Sequence, residues 1–338
     1  MQRIIKNLLL SAVLMLPTAV YSQLSSNPDK FLGNITTDWP GSMDYASGST
    51  TFKFSDYWNQ VTPENGTKWG TVQGSGSNSY YWEGADPAYS YAQQHNFPFK
   101  FHTLVWGSQL PEWFKSLSVQ ERYQAIVNWM DKVKAHFPNL QMIDVVNEAV
   151  DGHQGETYLV KEALGGGGET GYDWIIKSFE LAAERWPDAI LIYNDFNTFQ
   201  WDTDKYIDLV KTLRNAGAPI DAYGCQSHDL GGVSGSTFGP VMERIHNELQ
   251  MPMYISEYDI SDSNDGNQKW NYMEQFPLMW EADYCAGVTL WAGCTVRHGT
   301  WLPTPDSSRT AWSAQPSSGC VITCRPTRPR PPKVPSRA

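Results

Sequence analysis

The 338-residue sequence is poor in charge, and most of what it carries is of one sign. Asp, Glu, Lys and Arg together make up 18%, and the net charge is −11. That balance excludes a dedicated nucleic-acid binder, because phosphate recognition needs a basic footprint. Apolar runs of membrane-spanning length are missing beyond the N-terminal segment. Cysteine is scarce. The 5 residues are Cys225, Cys285, Cys294, Cys320 and Cys324, an odd number that leaves at least one unpaired if every bridge is internal. Cys320-x-x-x-Cys324 alone is weak as a metal motif. There is no internal repeat and no linker within the body. A Gly-rich phosphate loop after the first strand, which a doubly wound sheet would offer, is also missing. Gly165–Gly168 sits between helical patterns and reads as a flexible connection.

Aromatic residues are abundant instead: 15 Trp, 17 Tyr and 13 Phe. A core has little need of so many Trp and Tyr, whose polar handles want partners. Flat rings lining a groove for flat ligands would use them. Hydrophobic residues reach 41%, enough for a core as well.

The two ends differ from the body. Arg3 and Lys6 precede an apolar run over residues 8–16, with small residues before Gln23. Residues 1–22 are therefore expected to be a secretory signal peptide, and the protein to be exported. Residues 303–338 hold 8 of the 21 prolines and 6 Lys+Arg against one acid, Asp306. That tail carries +5 and the remainder −16. Prolines 326, 329, 331, 332 and 335 forbid a helix in the last stretch. The tail is expected to be disordered, or to be a frame-shifted end, leaving residues 23–302 as the folded domain.

Within that domain apolar runs occur at 31–35, 51–54, 97–106, 142–146, 189–193, 220–224, 251–256 and 286–291. Helical patterns alternate with them. Ser118-Val119-Gln120-Glu121 is a capping box, followed by an apolar stripe of Ile126, Met130, Val133 and Phe137. A second stripe (Trp174, Ile175, Phe179, Ala182, Ala183) ends before Pro187, and a third helix over 203–216 stops at Gly217. Eight strands alternating with helices predict an α/β fold of the (β/α)8 TIM-barrel type.

Chemistry in such a barrel sits where strands end at the C-terminal face. Glu148 and Glu257 both stand at the ends of apolar strands, in DVVNEA and YISEYDI. Two acids on one rim suggest glycosidic bond cleavage, in which one donates a proton and the other attacks or activates water. Asn147, just before Glu148, has an amide able to hold a sugar 2-hydroxyl.

In order along the chain stand FSDYWNQVTPENGTKWG (54–70), FHTLVWGSQLPEW (101–113), DVVNEA (144–149), YNDFN (193–197), IDAYGCQSH (220–228), YISEYDI (254–260) and VTLW (288–291). This ordered set resembles glycoside hydrolase family 10, the endo-β-1,4-xylanases. The resemblance implies a retaining, cofactor-free enzyme with no metal in its site, acting as a monomer on xylan and xylo-oligosaccharides. Glu148 matches the acid/base and Glu257 the nucleophile, with carboxyl groups about 5–5.5 Å apart. His228 matches the histidine that contacts the nucleophile, Asp259 its acidic partner, and Gln226 lies just before it. Glu64, Asn65 and Lys68 match the polar group of the second glycone-side sugar site. His102 and Trp106 match the wall of the first, Gln109 a neighbouring contact, and Trp291 and Trp301 the aromatic platforms. His228 and Trp301 could also be core residues on their own chemistry. Departures are Gly107, where the family often has His, and Phe196, where many members have Tyr. The 292–300 loop and the tail also depart, the family's closing helix having no counterpart there. Other readings are a barrel glycosidase acting on β-1,4-glucan, or a xylan-binding protein without turnover.

Overall fold

A computed structural model describes residues 29–36, 43–47, 50–262, 264–298, 303–304, 313–314 and 320–326. The expected signal segment lies outside the described residues, as does Trp301.

Eight parallel strands form the centre: β1 (Phe31–Thr36), β2 (Gln60–Pro63), β3 (Lys100–Trp106), β4 (Met142–Asn147), β5 (Ile190–Asp195), β6 (Ala222–Cys225), β7 (Met253–Tyr258) and β8 (Cys285–Leu290). Their order is β2-β1-β8-β7-β6-β5-β4-β3. A parallel bridge between Val61 and Phe99 joins the two ends, so the sheet closes into the expected (β/α)8 barrel. Every residue of β1, β4, β6 and β7 is buried, as strands covered on both faces require. Inside the barrel Phe31 stacks on Tyr254 at 5.7 Å, packed with Met142, Ile192 and Ala222.

The apolar run at 51–54 is not a barrel strand. Thr50–Lys53 pairs antiparallel with Asp44–Ser47 in a separate hairpin. The second barrel strand is β2, whose polar Gln60 and Thr62 are fully buried and bonded to each other, Nε2 to Oγ1 at 2.8 Å. Thr289 on β8 donates to Gln60 Oε1 at 2.9 Å. A strand that turns polar side chains into the barrel has no apolar run to find.

The helices follow their stripes. Val119–His136 starts with the capping box in place, Glu121 Oε2 accepting from Ser118 N at 2.9 Å, and buries Ile126, Trp129, Met130 and Val133. Asp173–Arg185 buries Trp174, Ile175, Phe179 and Ala182. Thr203–Asn215 is followed by Gly217 at φ +79°. Gly165–Gly168 connects the helices Thr157–Ala163 and Asp173–Arg185, with Gly166 N–H bonded to Lys161 O at 2.8 Å. After β8, Ala292–His298 pairs antiparallel with Cys320–Pro326, and Pro303–Thr304 with Ser313–Ala314. Cys225 and Cys285 are buried free thiols, pushed up to about 12 and about 11 by burial.

Candidate active site

The floor of the barrel's C-terminal mouth is ionic. Lys100 on β3 and Asp144 on β4 form a pair at 2.9 Å with side chains 1% and 0% exposed. His102, opposite Asp144 in the strand register, donates from Nδ1 to the same Asp144 oxygen at 2.9 Å. Burying such a pair costs several kcal/mol of desolvation per ion in order of magnitude, so it is weak as a stabilising device. Its position says more: the His102 ring nitrogen lies 3.9 Å from Glu257 Oε1, and Lys100 Nζ donates to the carbonyl of Ser256 at 3.4 Å.

Glu257 stands near the end of β7 and is 4% exposed. Its Oε1 accepts from Asn194 Nδ2 at 2.8 Å and its Oε2 from His228 Nε2 at 3.3 Å. His228 Nδ1 donates to Asp259 at 2.7 Å, so both ring nitrogens face carboxylates. Desolvation lowers the proton affinity of His228, but Asp259 and then Glu257 outweigh it and raise its pKa to about 10. Burial opposes ionisation of Glu257 too. Electrostatic attraction to His102, then the hydrogen bond and charge of His228 and the charge of Lys100, overcome it and bring its pKa down to about 2.

Glu148 is shaped differently. It leaves β4 at φ +57°, in the left-handed region that side-chain-bearing residues seldom adopt, with its N–H bonded to Asn194 O at 2.8 Å. A conformation of that kind costs about 1–3 kcal/mol and clusters at functional sites. The carboxylate is 8% exposed. Oε2 accepts from Trp106 Nε1 at 2.6 Å and from Gln154, and Oε1 from Gln226 Nε2 at 2.8 Å. All three donors are neutral. Burial and then the charge of Glu257 raise the Glu148 pKa, and the Gln226 and Trp106 hydrogen bonds only partly offset them.

An amide chain joins the acids. Asn147 Oδ1 accepts from Asn194 Nδ2 at 2.9 Å and from Gln226 Nε2 at 3.2 Å, while those same amides reach Glu257 and Glu148. Ser256 Oγ donates to Asn194 Oδ1 at 2.5 Å and fixes its orientation. Gly224 makes room for it, since a Cβ there would lie 2.3 Å from Asn194 Oδ1. Asn147 Nδ2 is buried and has no hydrogen-bond partner among the described residues.

Of the expected sugar contacts, Lys68 donates to Asn65 Oδ1 at 3.0 Å and places its ammonium 5.0 Å from the centre of the Trp106 ring. Glu64 is half-buried at the end of β2, and its N–H bonds Thr36 O at 2.9 Å. Trp291 is buried, edge-on to His102 at 5.1 Å. Gln109 is exposed on the rim at φ +47°. The structure thus brings together Glu148, Glu257, Asn147, Gln226, His228, Asp259, His102, Trp106 and Trp291, with Lys68 and Asn65 beside Trp106. Gly107 has a steric reason: a Cβ would meet Thr157 Oγ1 at 2.1 Å, so no larger residue fits. Among the described residues no three His, Cys, Asp or Glu are grouped to hold a metal ion.

Sequence reasoning missed Lys100, Asp144, Asn194, Ser256 and Gln154. Lys100 and Asp144 did leave a signal, a charge inside an apolar strand run. Asn194 sits inside the YNDFN piece. Gln154 lies in a loop with no pattern of its own.

A mouth that raises the proton affinity of one buried carboxyl group and lowers that of a second, joined by oriented amides, can supply an acid and a nucleophile to one bond. The chain is similar to known proteins in sequence and in fold. The chain is 41% identical over 273 residues to endo-1,4-beta-xylanase B of Cellvibrio japonicus (strain Ueda107), covering 81% of this chain and 42% of that protein. It is 35% identical over 209 residues to endo-1,4-beta-xylanase B of Thermotoga neapolitana, covering 60% and 58%. The chain therefore spans about half the length of these curated relatives. Among solved structures, xylanase 10B from Thermotoga petrophila RKU-1 in complex with xylobiose is similar with a TM-score of 0.62 and 25% identity, covering 78% of this chain and 82% of that one. The profile described as Glycosyl hydrolase family 10 matches residues 30–315, and with the barrel and its paired glutamates in place the chain belongs to that family.

Proposed function

We propose that the protein is an endo-β-1,4-xylanase that cleaves the xylan backbone with retention, Glu257 acting as nucleophile and Glu148 as acid/base. One observation carries the reading: two buried glutamates at one barrel mouth have environments that push their proton affinities apart. In the first step a Glu257 oxygen bonds to the anomeric carbon while the glycosidic C–O bond breaks, and the Glu148 proton goes to the leaving oxygen. The xylosyl ester on Glu257 is then hydrolysed. Glu148, now ionised, takes a proton from water as its oxygen attacks the same carbon and Glu257 leaves. Two inversions restore the β configuration.

The remaining groups support binding. Asn147 Nδ2, which has no hydrogen-bond partner among the described residues, is a donor suited to the sugar 2-hydroxyl; leaving it buried and unbonded costs about 1–3 kcal/mol, which a substrate oxygen would recover. Lys68, Asn65 and Glu64 form a polar edge suited to vicinal hydroxyls, with Trp106 and Trp291 as ring surfaces. The names of the curated relatives and the xylobiose in the Thermotoga petrophila structure favour xylan over other β-1,4-glycans.

The test is product analysis. Purified protein should release reducing sugar from xylan much faster than from carboxymethylcellulose, and NMR of the first product should show the β-anomer. The α-anomer appearing first would overturn retention, and faster attack on the cellulose derivative would move the substrate to glucan. We also propose export, on the strength of Arg3, Lys6 and the apolar run after them. Mass spectrometry of the secreted protein should find a new N-terminus near Gln23, and retention of the intact segment would contradict it.

A further inference from the structure

His153, Asp195, Asp202 and Phe196 form a cluster that has no part in the mechanism above. His153 follows β4 and its side chain is 7% exposed. Its Nδ1 donates to Asp195 Oδ1 at 2.6 Å and its Nε2 to Asp202 at 3.1 Å. Its ring lies on Phe196, with centroids 3.8 Å apart and planes at 23°. Asp195 is fully buried and accepts besides from Val150 N at 3.0 Å and from the Tyr193 hydroxyl at 2.6 Å. The loop after β4 is thus tied to the end of β5 by backbone, imidazole and ring stacking together. The residue that follows His153 is Gln154, whose amide donates to Glu148 Oε2.

We propose that His153 is a positioning residue for Glu148: clamped between Asp195 and Asp202, it holds Gln154 on the Glu148 carboxylate and screens Glu148 from the buried charge of Asp195. This rests on the reading of Glu148 as the acid/base. Burial disfavours the imidazolium, but Asp195 and then Asp202 outweigh it and raise the His153 pKa; with both ring nitrogens facing carboxylates, the doubly protonated ring is the form this site favours. Asp195 is one of the groups that push Glu148 upward, after burial and Glu257. The other charges facing this cluster are Lys205, paired with the second Asp202 oxygen at 2.6 Å, and Asp151, which acts on Lys205. Removing His153 therefore acts twice in one direction. Asp195 loses its counter-charge, and Glu148 loses a donor that favours its ionised form.

The experiment is the pH dependence of kcat/KM on a xylo-oligosaccharide, with thermal unfolding of each variant as a check on folding. The alkaline limb reports the group that must be protonated in the free enzyme. In His153→Phe, which keeps a ring against Phe196, the limb should move to higher pH by about half a unit or more. Gln154→Ala should move it the same way. Asp195→Asn should move it down, and in the His153→Phe background should bring it back toward wild type. A purely structural role for His153 would lower activity and stability but leave the limb in place. A folded His153→Phe with the wild-type limb overturns the proposal. If that variant fails to fold, an unmoved limb in Gln154→Ala and Asp195→Asn overturns it instead. Failure of the functional reading looks different: wild type would release no sugar from xylan, or Glu148→Ala would keep its alkaline limb, and the proposal would fall with it.

Discussion

The ends of β4 and β7 present the same side chain to the same cleft, in opposite surroundings. Around Glu257 stand the amide of Asn194, the rings of His102 and His228 and, behind them, Lys100, and the last three draw it toward its ionised form. Around Glu148 they are neutral donors, Trp106, Gln154 and Gln226, with Glu257 as a repelling charge. Both groups are buried, so burial alone would push both upward. The difference shows that position on the barrel rim creates the pair and the floor beneath it assigns the roles. A carboxylate over the Lys100–Asp144–His102 floor stays ionised. One turned away from that floor by a left-handed backbone keeps its proton longer.

The largest test of that contrast replaces each acid in turn. Glu257→Ala should reduce xylan hydrolysis by about 10⁴-fold or more, since a missing nucleophile leaves no covalent route. Glu148→Ala should lose about 10²–10⁴-fold on xylan but far less on an aryl xyloside whose leaving group needs no proton. Azide should restore turnover in Glu148→Ala and yield the β-xylosyl azide. Equal losses on both substrates would break the asymmetry.

A smaller effect is expected from the floor. Lys100→Met removes one of the charges that favour ionised Glu257 and strands Asp144, so stability should fall by about 3–5 kcal/mol in a denaturant titration. The acid limb of kcat/KM should move to higher pH by about one unit. An unmoved limb would remove Lys100 from the account of Glu257. The smallest change is expected on the other side. Trp106→Phe deletes the 2.6 Å hydrogen bond to Glu148 Oε2, worth about 1 kcal/mol. That bond favours the ionised form, so the alkaline limb should rise by about half a unit with little change in thermal midpoint.

The contrast also bounds how much could be read from residues alone. Glu148 and Glu257 were legible because each terminates an apolar strand, and a charge in that place is conspicuous. The helix from Val119 was legible because its capping box and stripe are local. The strand β2 was not, because Gln60 and Thr62 point into the barrel and satisfy each other, which leaves no hydrophobic run. The hairpin strand Thr50–Lys53 supplied such a run in the wrong place. The floor was hidden for a related reason. Lys100 and Asp144 are 44 positions apart, and only the register of β3 on β4 brings them to 2.9 Å. Gln154 reaches Glu148 through the fold of a loop, which composition does not encode. Resemblance to the family pointed to His228 and Asp259; in the structure Asp259 bonds His228 and His228 bonds Glu257, because those motifs lie at the strand ends where the barrel converges.

Stability should carry the same signature. Glu257 has a lowered pKa in the folded protein, so its contribution is present above the ordinary glutamate value and is lost as pH falls toward about 2. His228 is raised, so its contribution is complete below the ordinary histidine value and is lost as pH rises through about 10.

The most direct measurement is a 13C NMR titration of the glutamate side-chain carboxyl groups, assigned with the Glu148→Gln and Glu257→Gln variants. Glu257 should stay ionised down to about pH 2, while Glu148 should take up its proton above the ordinary glutamate value. Two carboxyl groups titrating together at that ordinary value, or in the reverse order, would contradict it.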